Sequence, residues 1–135
     1  MPDKNSIAEY FQHLQNRICQ AIEEMDGKGK FQEDAWQRRE GGGGKSRIIK
    51  GQVVEKGGVN FSAVHGPLPE KIADTLQLPG SSFFATGVSI VLHPACPMVP
   101  IIHLNVRFFD VGFGISDFGF KSNMMLRHPK SDIRN

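Results

Sequence analysis

Along residues 5–26, Ile7, Tyr10, Phe11, Leu14, Ile18, Ala21, Ile22 and Met25 recur at intervals of three and four. That spacing gathers them on one stripe of a helix and predicts an amphipathic helix packed on a core. Asn5 or Ser6 suits its start and Gly27 its end. Residues 27–46 turn polar and glycine-rich, interrupted by Phe31, Ala35 and Trp36, and run into Gly41-Gly42-Gly43-Gly44. They predict a flexible connector; a sharper reading is backbone that approaches a ligand closely and offers amide hydrogens to anions. Residues 47–56 predict a strand, Gly57-Gly58 a turn or bulge, and residues 59–64 a second short strand. Residues 69–78 predict a short helix opened by Pro69, with Ile72, Ala73 and Leu76 on one face and Pro79-Gly80 beyond.

The most informative stretch runs from residue 83 to 107. It predicts two strands joined by a turn bounded by Pro94 and Pro100. Alternate residues of a strand share a face. Val88, Ile90 and Leu92 therefore lie together with Ile102, Leu104, Val106 and Phe108, while Ser89, Val91 and His93 lie with His103, Asn105 and Arg107. Antiparallel pairing about Pro97 sets residue 93 opposite 101, 91 opposite 103 and 89 opposite 105. One face is aliphatic. The other collects a hydroxyl, two imidazoles, an amide and a guanidinium, a set that binds an anion and can move a proton. A solvated sheet face is the plain alternative, but this one has none of the Lys, Glu and Thr usual there. The order of elements predicts an α+β fold with an antiparallel sheet flanked by helices.

Composition narrows the classes. The 135 residues make one domain's worth of chain. A formal charge of +2, with no Lys/Arg run, argues against nucleic acid. No apolar run is long enough to span a membrane, and the acidic start MPDKNSIAEYF is not a secretory signal. Cys19 and Cys96 are too few for a disulfide framework, which makes a reduced, cytoplasmic setting the default. There is no CxxC or zinc-ligand spacing. Lys45-Ser46 follows the tetraglycine, but the spacing of a Walker phosphate loop is absent. From about Asp110 the chain changes character. Residues 111–135 show no clear period, with Met124-Met125-Leu126 as one short apolar turn, and are expected to be a divergent, poorly ordered tail.

Several motifs occur in order: Asp34-Ala35-Trp36-Gln37-Arg38, the tetraglycine with Lys45-Ser46-Arg47, VEKGGVNFS at 54–62, VHG at 64–66, FATGVS at 84–89, His93-Pro94, and HLNVR at 103–107. Together they resemble the N-terminal half of oxygen-dependent coproporphyrinogen III oxidases, from about residue 5 to about 110. The resemblance implies a broad antiparallel sheet flanked by helices, in a homodimer. It also implies oxidative decarboxylation of two propionates of coproporphyrinogen III to the vinyl groups of protoporphyrinogen IX, in haem biosynthesis. Molecular oxygen is the oxidant, and carbon dioxide and hydrogen peroxide are released. No organic cofactor is expected; a divalent metal such as manganese, held by histidines, is described for bacterial members. Position by position, His103 matches the proton donor, and Ser89, Asn105, Val106 and Arg107 match substrate-binding positions. His93 and His103 match two of four metal histidines.

The chemistry suits these residue types. Arg107 can grip a carboxylate in bidentate fashion, Asn105 and Ser89 add oriented donors, and an imidazole can act as acid or base near neutrality. The chain departs from the family after residue 110. Complete members are about twice as long, and the family's next landmark is replaced by DVGFGISDFGFKSNMMLRHPKSDIRN. Asp117 and His128 stand in no matching motif and receive no role. The expectation is a domain over residues 1–110 that looks truncated. A non-catalytic tetrapyrrole- or anion-binding fragment, or a partner of a full-length subunit, is the alternative.

Overall fold

The computed structural model describes residues 3–77, 81–112 and 123–127. The first helix, α1 (Lys4–Asp26), is capped by Asp3, whose carboxylate accepts the Ser6 N–H at 2.7 Å. The cap thus falls ahead of the expected Asn5 or Ser6. Gly27 closes the helix with φ +79° and returns its N–H to the Glu23 carbonyl at 2.9 Å. A side chain would strain that left-handed position.

Then follow β1 (Gln32–Gln37), β2 (Gly42–Ile49), β3 (Val54–Pro67), α2 (Glu70–Leu76), β4 (Ser82–Pro94), β5 (Ile102–Gly112) and β6 (Asn123–Arg127). The strands form one six-stranded sheet in sequence order, and every neighbouring pair is antiparallel. The expected α+β fold is what the chain adopts.

Three local expectations are corrected. The supposed connector at 27–46 holds β1 and the first half of β2, and Gly42, Gly43 and Gly44 are strand residues paired with Val64, Ala63 and Ser62. Glycine has no side chain to write an alternating pattern; the ladder to β1 and β3 makes these residues a strand. Gly57-Gly58 is not a turn but part of β3, opposite Ile49 and Ile48. The chain turns earlier, between β2 and β3. Residues 124–126 lie in β6 against β5, not in a turn. The expectation of a poorly ordered tail falls largely on residues outside those described, as do Asp117 and His128.

The β2–β3 turn is fixed by a buried carboxylate. Asp26, only 1% exposed at the end of α1, accepts the N–H groups of Val53 (2.7 Å) and Val54 (2.9 Å) on Oδ1. Its Oδ2 accepts those of Gly29 (2.7 Å) and Gln52 (3.0 Å). The Val54 and Gly29 amides lead in holding the Asp26 carboxyl well below the usual carboxylate range, against the opposing effect of burial.

Helix α1 covers one face of the sheet. Phe11, Cys19 and Ile22 pack on Val59, Phe61, Val88, Ile90 and Phe108, with Leu92, Leu104 and Val106 at the margin. The face expected to be aliphatic is therefore the core face. Fully buried Gln15 ties the helix to the sheet, its Nε2 donating to the carbonyls of Lys45 (2.8 Å) and Val59 (2.9 Å). Burial pushes the Cys19 thiol upward. At the N-terminal end of α1, Lys4 pairs with Asp110 of β5 at 3.3 Å. Among the described residues no helix is long and apolar enough to cross a membrane.

Candidate functional site: the open face of the sheet

The β4–β5 hairpin fixes the register expected for it. Val91 faces His103 and Ser89 faces Asn105, and the ladder ends at Leu92 with Ile102. Parity then sends Ser89, His93, His103, Asn105 and Arg107 to the face opposite α1. The structure brings all five together there. The rings of His93 and His103 stand 5.8 Å apart, centroid to centroid, tilted by 45°. Val106 is the exception: it packs against the core cluster with Val88 as its cross-strand partner, so its side chain points to the helix side. Only its backbone is presented between Asn105 and Arg107.

Cross-strand pairing extends the polar row beyond the hairpin. Asn105 faces Ser89, Ser89 faces Asn60, Asn60 faces Ser46 and Ser46 faces Asp34. A second row runs Arg107, Gly87, Ser62, Gly44, Trp36. Gly87 puts a side-chain-free dip beside Arg107. Gly44 does the same under Trp36, whose Cζ2 lies 2.6 Å from where a Cβ on Gly44 would stand. Over this surface lies a groove of about 460 Å³, lined by Trp36, Arg38, Ser46, Asn60, Ser89, Asn105 and Arg107 among others. A second hollow of about 840 Å³ shares Ser46 and Asn60 with it and continues towards Lys50, Lys56 and His93. Both volumes fall in the range of small-molecule sites.

The electrostatics favour an anion. Arg107, Lys56 and Lys50 line this region against one carboxylate, Glu55, and among the described residues none of the three cations has an ion-pair partner. The side chains of Ser89, Asn60 and Asn105 likewise make no hydrogen bond among the described residues. Arg107, Ser89, Asn60 and Asn105 line the groove. Asn60, Ser46, Lys56 and Trp36 were not singled out as site residues from the sequence. The signal existed, since Lys56, Asn60 and Ser62 alternate along β3, but their partners become visible only once the register is known.

Metal chemistry was tested on the same surface. His93 and His103 offer two nitrogen donors. Among the described residues no group of three or more His, Cys, Asp or Glu is placed to hold an ion. Two imidazoles are too small a donor set for a divalent cation, so the described residues do not form a metal centre by themselves and no chemical step is routed through one.

A family model for coproporphyrinogen III oxidase matches residues 6–123. The chain belongs to the coproporphyrinogen III oxidase family. Curated relatives named oxygen-dependent coproporphyrinogen-III oxidase agree with this. One from Prochlorococcus marinus (strain NATL2A) is 49% identical over 118 residues, covering 83% of this chain and 34% of that protein. One from Prochlorococcus marinus subsp. pastoris (strain MED4) is 45% identical, covering 99% of this chain and 41% of that protein. A third, from strain MIT 9312, is 47% identical over 90% of this chain and 36% of its own length. The chain thus spans between a third and a little over two-fifths of these coproporphyrinogen III oxidase family members.

Proposed function

We propose that this chain carries the substrate-gripping and proton-transferring surface of an oxygen-dependent coproporphyrinogen III oxidase. One observation carries the reading: Ser89, His103, Asn105 and Arg107 stand on one open face, above a groove, in a chain of that family. Arg107 holds one propionate carboxylate through a charge-assisted, bidentate contact. Asn105, Ser89 and Asn60 supply further hydrogen bonds along the same row. The tetrapyrrole lies along the sheet, so the reacting propionate rests near His103.

Each propionate then loses carbon dioxide from its end and a hydride equivalent from the carbon next to the ring, which leaves a vinyl group. Oxygen accepts the two electrons and, with that hydrogen and one added proton, leaves as hydrogen peroxide. His103 is the residue that delivers the proton. Holding the carboxylate against the sheet withdraws it from bulk water, which favours its departure as carbon dioxide. Homodimerisation, a cytoplasmic location and a divalent metal using His93 and His103 belong to the same proposal and rest on the family resemblance.

A second reading is binding without turnover, which the polar row of Ser89, Asn60, Asn105 and Arg107 in the groove favours by itself. One assay separates the two. Coproporphyrinogen III is loaded under anaerobic conditions, air is admitted, and protoporphyrin fluorescence is followed for the chain and for His103→Ala. Turnover lost in the variant supports the oxidase reading. A folded chain that binds coproporphyrin III but produces no protoporphyrin supports the binding reading and ends the catalytic one.

A further inference from the structure

We propose that Arg38 is a second carboxylate-gripping residue of this site, delivered from the edge strand across a strip of glycines, and that it clamps the far edge of the tetrapyrrole. This deepens the function proposed above and rests on it. Arg38 follows β1, and its N–H donates to the Gly42 carbonyl at 2.8 Å. Its guanidinium does not stay at the edge. The Cζ atom lies 5.8 Å from the centre of the Phe83 ring, on β4, three strands inward.

Glycines make that reach possible. On β2 the run ending at Gly44 carries no side chains, and on β3 the residue paired with Phe83 is Gly66. Arg38 crosses β2 beside Gly42 and passes β3 where Val64 and Gly66 stand, and Trp36 lies over Gly44. A Cβ at Gly44 would meet the Trp36 ring, and one at Gly42 or Gly43 would meet neighbouring backbone. The tetraglycine is then neither a phosphate loop nor a slack connector. It is a cut-out in the sheet surface that lets two edge-strand side chains enter the groove.

The landing place is aromatic. Phe83 stacks on Phe109, with centroids 6.0 Å apart and planes 16° apart. Phe109 lies two residues from Arg107 on the same strand face. Arg38 and Arg107 line one groove, and two cations so placed match a large apolar ring bearing carboxylates on more than one edge. Arg38 pairs now with Glu40 at 3.2 Å, and the Glu40 side chain is 56% exposed. Such an exposed pair is weak, while contact with the Phe83 face holds the guanidinium in place. A ligand carboxylate can take the position of Glu40 at little cost.

The test uses the whole chain and two stable probes: coproporphyrin III, with four propionates around the ring, and deuteroporphyrin IX, with two side by side on one edge. Affinities are read from the Soret shift. Arg38→Ala should weaken coproporphyrin III about tenfold and leave deuteroporphyrin IX within about twofold, because neighbouring propionates are served by Arg107. Arg38→Lys should recover part of the loss. Glu40→Gln, which frees the guanidinium, should tighten coproporphyrin III. Arg107→Ala should weaken both probes. If Arg38→Ala changes neither probe while Arg107→Ala weakens both, Arg38 is not a ligand-binding residue and the function proposed above still stands. Equal losses for both probes in Arg38→Ala would also overturn the clamp, assigning Arg38 to the shape of the floor. If the folded wild-type chain binds neither probe, the clamp and the reading beneath it fall together.

Discussion

The two faces of the sheet are built from the same strands and spend their polar groups in opposite ways. On the helix side, the deepest polar groups are tied into the fold: the carboxylate oxygens of Asp26 accept four backbone N–H groups within 3.0 Å, and the Gln15 Nε2 donates to two carbonyls, while its Oε1 has no partner among the described residues. Buried polar groups without partners are costly, so most of those on this face are bonded to backbone. On the open side, Ser89, Asn60, Asn105 and Arg107 are left without such partners among the described residues. That surface is poor at stabilising the fold and well prepared to meet a polar ligand. Alternation along a strand lets one hairpin serve both ends, with Val88, Ile90 and Phe108 pointing to one face and Ser89, Asn105 and Arg107 to the other.

The contrast can be broken from either side. The largest effect is expected from Phe11→Ala, which empties a site under α1. Melting or denaturant titration should show a loss of about 3–5 kcal/mol. If the variant melts like the wild type, α1 is not what holds the core face.

Asp26→Asn should also destabilise, because an amide offers one acceptor oxygen to donors arranged for two. Its pH dependence gives a sharper reading. The folded-state carboxyl sits below its ordinary value of 3.8, so its stabilising effect is present above that value and is lost as pH falls below it. The gap in melting temperature between wild type and variant should be widest near neutrality and should close on acidification. A constant gap would mean that shape, not charge, is what Asp26 supplies.

The smallest effect is expected on the open face. Ser89→Ala should weaken coproporphyrin III binding only about two- to fivefold, the size of one net hydrogen bond, with melting unchanged. A clear drop in melting temperature would place Ser89 among the residues that hold the fold and blur the difference between the faces.

Much of this was legible in the chain. The three-and-four spacing from Ile7 to Met25 marked α1, and the alternation through 88–92 and 102–108 marked both strands of the hairpin and which residues share a face. The register of Ser89 with Asn105 followed from the position of the turn. The tetraglycine, by contrast, gave no period, and the strand it belongs to exists through pairing with residues well removed in sequence. Val106 shows the opposite risk: its motif placed it among ligand contacts, while its parity turns its side chain to the core.

The sequence alone determined the local periods, the glycine that ends α1 and the sorting of side chains between two faces, because these depend on spacing of a few residues along one chain. Only the tertiary structure decided that Asn60 continues the row of Ser89, that Asp26 ties down the β2–β3 turn, and that Arg38 reaches Phe83 from the edge of the sheet. Those contacts join residues far apart in the chain, and no local pattern encodes which strand lies beside which.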